Sequence, residues 1–194
     1  MLQQTGALNQ LCPSAGSLNF RFEEPVSAGS SRVSSPERVY VRLGPMLSAA
    51  QQNALSPLAQ RFLSRLRGTL PGSASERLTD DGLLVRVEPL AVAVGPLEAV
   101  VDDEVTIRIG DHTHSHIAPY LYGQPSDPEA VLQAAEAAVE FLADILGDRV
   151  VIWSRRVDGQ VRAGGSYHIG TEQRLSALAT EAWLWSGRAI PIGE

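Results

Sequence analysis

Three of the four histidines in this 194-residue chain stand at alternate positions, as His112, His114 and His116. This histidine row directly follows Glu104–Ile109, a run in which apolar and polar residues alternate. Alternate residues of a β-strand point to the same face, so the three imidazoles are expected on one side of a sheet. Imidazole is a frequent metal ligand and titrates near neutral pH, which makes the row the best candidate for a chemical site.

The numbering of the preceding strand predicts which face the histidine row occupies. The apolar residues from Val105 to Ile109 are odd-numbered, whereas the histidines are even-numbered. A strand that continues without interruption therefore carries the row on its polar face, away from the core. A bulge at Gly110 is the alternative, because it would turn the histidines toward the core and let Asp111 orient an imidazole.

Strand spacing limits the metal chemistry of the row. The outer two histidines of a straight strand are about 13 Å apart at Cα, while a zinc–nitrogen bond is only about 2.1 Å long. One ion can therefore bind two neighbouring histidines, and a further ligand must come from elsewhere. The predicted set for zinc or another divalent metal is His112, His114 and His168, and no other cofactor is expected.

A two-residue Asp-Gly turn at 158–159 predicts a β-hairpin between Val150–Val157 and Gln160–Ala163. Asp-Gly supplies the positive φ angles of a type I′ turn. The register that follows sets Trp153 opposite Gly164, so that an aromatic ring covers a cross-strand glycine.

The same register sets Arg155 opposite Arg162. Two like charges that face each other destabilise a sheet unless an acidic group or a ligand lies between them. Arg155 and Arg162 therefore join His112, His114 and His116 as the predicted binding residues.

Composition excludes several classes of protein. All 16 basic residues are arginine. Pyridoxal enzymes and P-loop nucleotide-binding proteins need a lysine ammonium, so neither class fits this chain. The single cysteine, Cys12, cannot form an internal disulfide, which fits a reducing compartment and predicts a cytoplasmic protein. No apolar run is long enough to span a bilayer, so no membrane association is expected.

Charge is distributed unevenly along the chain. Residues 1–78 carry eight arginines against four glutamates, whereas residues 79–194 carry eight arginines against eighteen acidic residues. The arginines are dispersed and lack interleaved aromatic residues, so a nucleic-acid partner is not expected. An acidic surface speeds encounter with a basic partner, which favours a protein partner.

The chain is predicted to consist of a flexible tail followed by one domain. Residues 1–37 are rich in Ser, Gly and Pro, which is typical of flexible segments. Residues 38–194 are predicted to form a single α+β domain that begins with the strand Val39–Leu43. Its sheet is expected to be mainly antiparallel, with two or three helices packed on it.

Three helices are predicted. Ser56 and Asp127 are suitable N-caps, and each precedes a proline at the first position of a helix. These two helices are expected over 57–68 and 128–147. The third is predicted over Thr171–Ser186, where apolar residues recur at helical spacing.

The run Glu104–His116, with the capped helix and the strand that contains Trp153, resembles a block in small uncharacterised bacterial proteins. Some of those are suspected immunity proteins of toxin systems. The resemblance covers residues 100–157 and assigns no functional residue. It favours a non-enzymatic, immunity-like protein-binding module. The alternative hypothesis is a metal- or histidine-dependent enzyme centred on the histidine row, with His168 as a remote contributor.

Overall fold

The computed structural model describes residues 46–72, 74–80, 82–171 and 179–192. This part of the chain contains two antiparallel sheets and three α-helices, which confirms the predicted α+β class. The strands are β1 (Ser75–Thr79), β2 (Gly82–Val87), β3 (Leu97–Val101), β4 (Val105–Ile109), β5 (Thr113–Ile117), β6 (Val150–Val157), β7 (Gln160–His168) and β8 (Glu181–Trp183). The helices are α1 (Ala49–Asn53), α2 (Pro57–Thr69) and α3 (Pro128–Leu146).

The predicted tail over residues 1–37 and the predicted strand Val39–Leu43 lie outside the described residues. Both stay predictions, as does the single-domain boundary at residue 38.

The first sheet is a five-stranded meander in chain order, from β1 to β5. Alternate residues of β2, β3 and β4 are buried, as the period of two along a strand requires. Helices α2 and α3 pack on each other, and α3 also contacts β4 and β5. The core between these layers includes Phe62, Leu83, Leu97, Ile107 and Ile145.

The two longer helices begin where the capping residues predict. Ser56 accepts a hydrogen bond from the backbone N–H of Ala59, and Asp127 accepts one from that of Glu129. α2 continues through Gly68 to Thr69, and α3 ends before Gly147. Neither these helices nor any other in the described part of the chain is both long and apolar enough to cross a membrane.

The second sheet has the order β7-β6-β8 and contains the predicted hairpin. Its turn has positive φ at both central residues, 52° at Asp158 and 76° at Gly159, as a type I′ turn requires. The predicted register is wrong by one residue, because a bulge shifts the ladder between Arg155 and Arg156. Trp153 consequently lies opposite Gly165, where its ring is 2.8 Å from the position that a Cβ would take.

A helix is predicted over Thr171–Ser186, and this prediction is wrong for the described residues from 179 onward. Residues 181–183 form β8, which pairs antiparallel with β6; residues 172–178 lie outside the described residues. The segment from Ala182 to Trp185 is apolar at every position, so its pattern fits a buried strand as well as a helix. Ala182 and Leu184 pack on one side of the sheet, while Trp185 enters the main core.

Close packing at β7 leads to a stability prediction. A Cβ on Gly164 would lie 1.7 Å from the carbonyl oxygen of His112. We expect Gly164→Ala to lower the free energy of unfolding by about 1–3 kcal/mol, because the β4–β5 loop must move away. Urea unfolding followed by circular dichroism measures this change.

Gly68→Ala is the matched control. Gly68 lies on the exposed side of α2, and a Cβ there would meet nothing within 4 Å. Alanine should raise the free energy of unfolding by about 0.5–1 kcal/mol, because it favours the helix. Equal stability of the Gly164→Ala protein and the unsubstituted protein would contradict the packing described for β7.

Candidate functional site

The strand that precedes the histidine row, β4, does not continue through it. β4 ends at Ile109, and Gly110–His112 form a loop that reverses the chain, so that Ile109 pairs with Thr113 on β5. Gly110 has a φ of 50°, and a Cβ there would lie 2.5 Å from the carbonyl oxygen of Val94. Only glycine fits both constraints, so the turn is fixed by this residue.

The loop divides the histidine row. His112 is buried, with 4% of its surface exposed, so its predicted place on the polar strand face is wrong. His114 and His116 lie on β5 opposite Arg108 and Thr106, and both are exposed on the polar face, as their numbering predicts. The row is therefore one buried imidazole and two surface imidazoles.

The buried imidazole belongs to a polar cluster that joins the β4–β5 loop to the second sheet. His112 Nε2 donates to the carbonyl of Ala93 at 2.9 Å, and its Nδ1 lies 3.3 Å from Ser154 Oγ. The Ser154 hydroxyl donates to Glu181 at 2.5 Å. The ring of Trp183 covers the imidazole at a centroid distance of 4.9 Å.

Arg156 completes this cluster. Its Nη2 donates to both carboxylate oxygens of Asp111, at 2.8 and 3.0 Å, and its Nε donates to Glu181 at 2.6 Å. The hydrogen bond from Arg156 holds the pKa of Asp111 below its ordinary value. We call this group the turn cluster; its members are Asp111, His112, Ser154, Arg156 and Glu181.

The hydrogen bonds of the turn cluster define where the protons lie. The carbonyl of Ala93 can only accept, so Nε2 of His112 carries a hydrogen. The single hydroxyl hydrogen of Ser154 points to Glu181, and the Ser154 oxygen lies 3.3 Å from His112 Nδ1. Nδ1 of His112 also lies 3.7 Å from a carboxylate oxygen of Asp111 and 3.9 Å from one of Glu181.

This arrangement differs from that of a hydrolase triad. A triad histidine accepts the serine hydrogen, and a carboxylate orients the other ring nitrogen. Here the serine donates to the carboxylate, and Ser154 is fully buried. The geometry favours a structural role, in which the turn cluster ties the β4–β5 loop to β6 and β8.

A cleft of about 380 Å³ lies between the β4–β5 hairpin and β7. It brings together three of the five predicted binding residues: His112, His114 and Arg162. We call it the hairpin cleft; it is lined by Arg108, Gly110, Asp111, His112, Thr113, His114, Val161, Arg162, Ala163 and Gly164.

The other two predicted binding residues lie elsewhere. Arg155 pairs with Ala163, and it follows Ser154 on β6, so it points to the opposite face from the turn cluster. The predicted contact between Arg155 and Arg162 is therefore wrong, because Arg162 is the extra residue of the bulge. His116 Nδ1 lies 2.5 Å from Glu104 Oε1 near the start of β4.

The predicted metal-ligand set is not brought together. His168 lies at the end of β7, where its Nε2 is 2.8 Å from Asp144. Burial raises the pKa of Asp144, but the hydrogen bonds from Arg149 and His168 outweigh it and hold the pKa below its ordinary value. Among the residues that the structure describes, no three His, Cys, Asp or Glu side chains are grouped to hold a metal ion.

Sequence reasoning missed a second concave surface, with a volume of about 530 Å³. Its signals in the sequence are the acidic run 102–104 and the Pro- and Tyr-rich segment 118–125, and no local pattern connects the two. The fold places both beside the N-terminus of α2. We call this surface the acidic groove; it is lined by Ser56, Pro57, Leu58, Asp102, Asp103, Glu104, Ala118, Pro119, Tyr120, Pro125 and Val131.

No family model matches this chain, and no curated protein or solved structure is significantly similar to it. The two concave surfaces and the turn cluster are therefore the features from which a function can be inferred.

The turn cluster leads to a pH prediction. Because the folded-state pKa of Asp111 is lowered, its pair with Arg156 stabilises the fold above the unfolded pKa of about 3.9. This contribution is lost as the pH falls through the lower folded-state value. We expect Asp111→Asn to lower the melting temperature at neutral pH, and the difference from the unsubstituted protein to shrink toward about pH 3.

Thermal unfolding measured by circular dichroism across this pH range checks the effect, which should be small because Asp111 is largely exposed. Asp158→Asn is the control for removal of one negative charge, since Asp158 has no ion pair within the described ranges. The ion pair would be ruled out as the cause if the difference in melting temperature between Asp111→Asn and the unsubstituted protein did not change with pH.

Proposed function

We propose that this chain is a non-enzymatic protein-binding module whose acidic groove docks a basic, partly apolar segment of a partner protein. A basic toxin would be such a partner, which is the role that the resemblance to suspected immunity proteins implies. The observation that carries the proposal is an apolar groove with three consecutive carboxylates on one wall.

The floor of the acidic groove suits apolar side chains. Pro57 and Leu58 from the start of α2 face Ala118 and Pro119 from the segment that follows β5. Apolar surface of this kind supplies most of the binding free energy at the centre of a protein interface.

The walls of the groove suit a cation. Asp102 and Asp103 are exposed, and neither has an ion pair in the part of the chain that the structure describes. Tyr120 lines the groove and is 63% exposed. A tyrosine ring beside carboxylates favours arginine or lysine, through cation–π attraction together with charge.

Exposed apolar residues continue outside the groove. Leu121 is 58% exposed and Tyr122 is 41% exposed, and both directly follow Tyr120. Adjacent exposed aromatic and aliphatic side chains are typical of interaction surfaces. The contacts of Ser154 and His112 described above support this proposal over the alternative of a histidine-dependent enzyme.

A labelled peptide of alternating arginine and leucine is a direct probe of the groove. Fluorescence anisotropy should show saturable binding that weakens with added salt, because the contacts are partly electrostatic. The double variant Asp102→Asn/Asp103→Asn should bind about tenfold more weakly. Tyr120→Ala should weaken binding about threefold or more, because the cation–π contact is lost.

The matched control is Asp80→Asn/Asp158→Asn, which removes the same charge from two other turns. Its affinity should stay within about twofold of that of the unsubstituted protein. If both double variants lost the same amount of affinity for the peptide, the effect would be a non-specific one of net charge. Binding that is insensitive to the groove variants, or equal binding of a peptide with glutamate in place of arginine, would contradict the proposal.

A further inference from the structure

We propose that the hairpin cleft is a separate binding site for a small molecule that carries a phosphate group. This site is independent of the acidic groove. Its key residues are Arg108 on β4, His114 on β5 and Arg162 on β7.

The fold holds these three side chains together. Arg108 and His114 are directly opposite each other across β4 and β5, where facing Cβ atoms are about 5 Å apart. Arg162 is the extra residue of the bulge in the second hairpin, and it enters the same cleft from the other side. Bulges re-aim side chains in this way and are frequent beside binding sites.

Neither arginine is neutralised by a side chain that the structure describes. Within the described residues, the guanidinium groups of Arg108 and Arg162 have no carboxylate partner. Glu98 lies opposite Arg108 in the ladder, but its carboxylate binds Arg86 at 2.9 Å.

The one carboxylate that lines the cleft is also engaged. Both oxygens of Asp111 accept hydrogen bonds from Arg156. The two arginines that line the cleft therefore remain available to bind an anion. They do so on a chain whose formal net charge is −6. Holding like charges together is unfavourable unless a bound anion compensates them.

Phosphate fits this donor set better than a carboxylate does. A phosphate group carries up to two negative charges and three acceptor oxygens, and a guanidinium can bind two of these oxygens at once. Gly110 and Gly164 also line the cleft. Its volume of about 380 Å³ is that of a small-molecule site.

Inorganic phosphate and pyrophosphate are the probes, titrated into the full chain at constant ionic strength and followed by NMR chemical shifts and calorimetry. Phosphate should bind saturably with a Kd of about 1 mM, and pyrophosphate should bind more tightly. Arg108→Gln and Arg162→Gln should each weaken binding about fivefold, and the double variant about twentyfold or more. His114→Gln should have a smaller effect in the same direction.

Arg155→Gln is the matched control, because Arg155 belongs to the same hairpin and lies on its other face. The affinity of Arg155→Gln for phosphate should stay within about twofold of that of the unsubstituted protein. The same holds for the double variant Asp102→Asn/Asp103→Asn. Melting temperatures verify that every variant folds. The proposal is overturned if phosphate binding does not saturate, if acetate binds as tightly as phosphate, or if Arg155→Gln weakens binding as much as Arg162→Gln.

Discussion

The contact of the β4–β5 loop with the second sheet is the interaction on which the placement of both concave surfaces depends. The His112 backbone lies directly against Gly164, and its ring fills the space between Ala93 and Ser154. A three-stranded sheet such as β7-β6-β8 needs an apolar face or a packing partner to be stable. Because His112 and Ser154 are buried, their polar atoms need hydrogen-bond partners from the protein, and the loss of one side chain leaves the other with a partner fewer. The turn cluster therefore fixes one position of the loop on the sheet.

This fixed position gives the β4–β5 hairpin two different ends. At the loop end, Arg108 and Arg162 converge on the hairpin cleft because the loop holds β7 close to β5. At the open end, the turn before β4 supplies carboxylates, and the chain after β5 supplies Pro119 and Tyr120 to the acidic groove. The contact of His116 with Glu104 joins the two strands at that end. One hairpin thus positions a basic site and an acidic site.

Local signals in the sequence predicted much of this architecture, and tertiary contacts decided the rest. The N-caps Ser56 and Asp127 define where helices begin, because capping depends on neighbouring residues alone. The bulge at Arg162 shifts the register by one residue, and nothing in the alternating pattern reveals an extra residue that points into a cleft. The burial of His112 depends on Ala93 and on a strand more than forty residues away, so the spacing of the histidines could not predict it.

The separation between the two ends of the hairpin explains how opposite charges coexist on it. Five residues of β4 span about 17 Å, whereas charges in physiological salt are screened over about 8 Å. Asp102 and Asp103 therefore attract a cation at one end without neutralising Arg108 and the cleft at the other. The same distance weakens the effect of a ligand at one end on the electrostatic field at the other. We therefore expect the two proposed sites to bind their ligands independently.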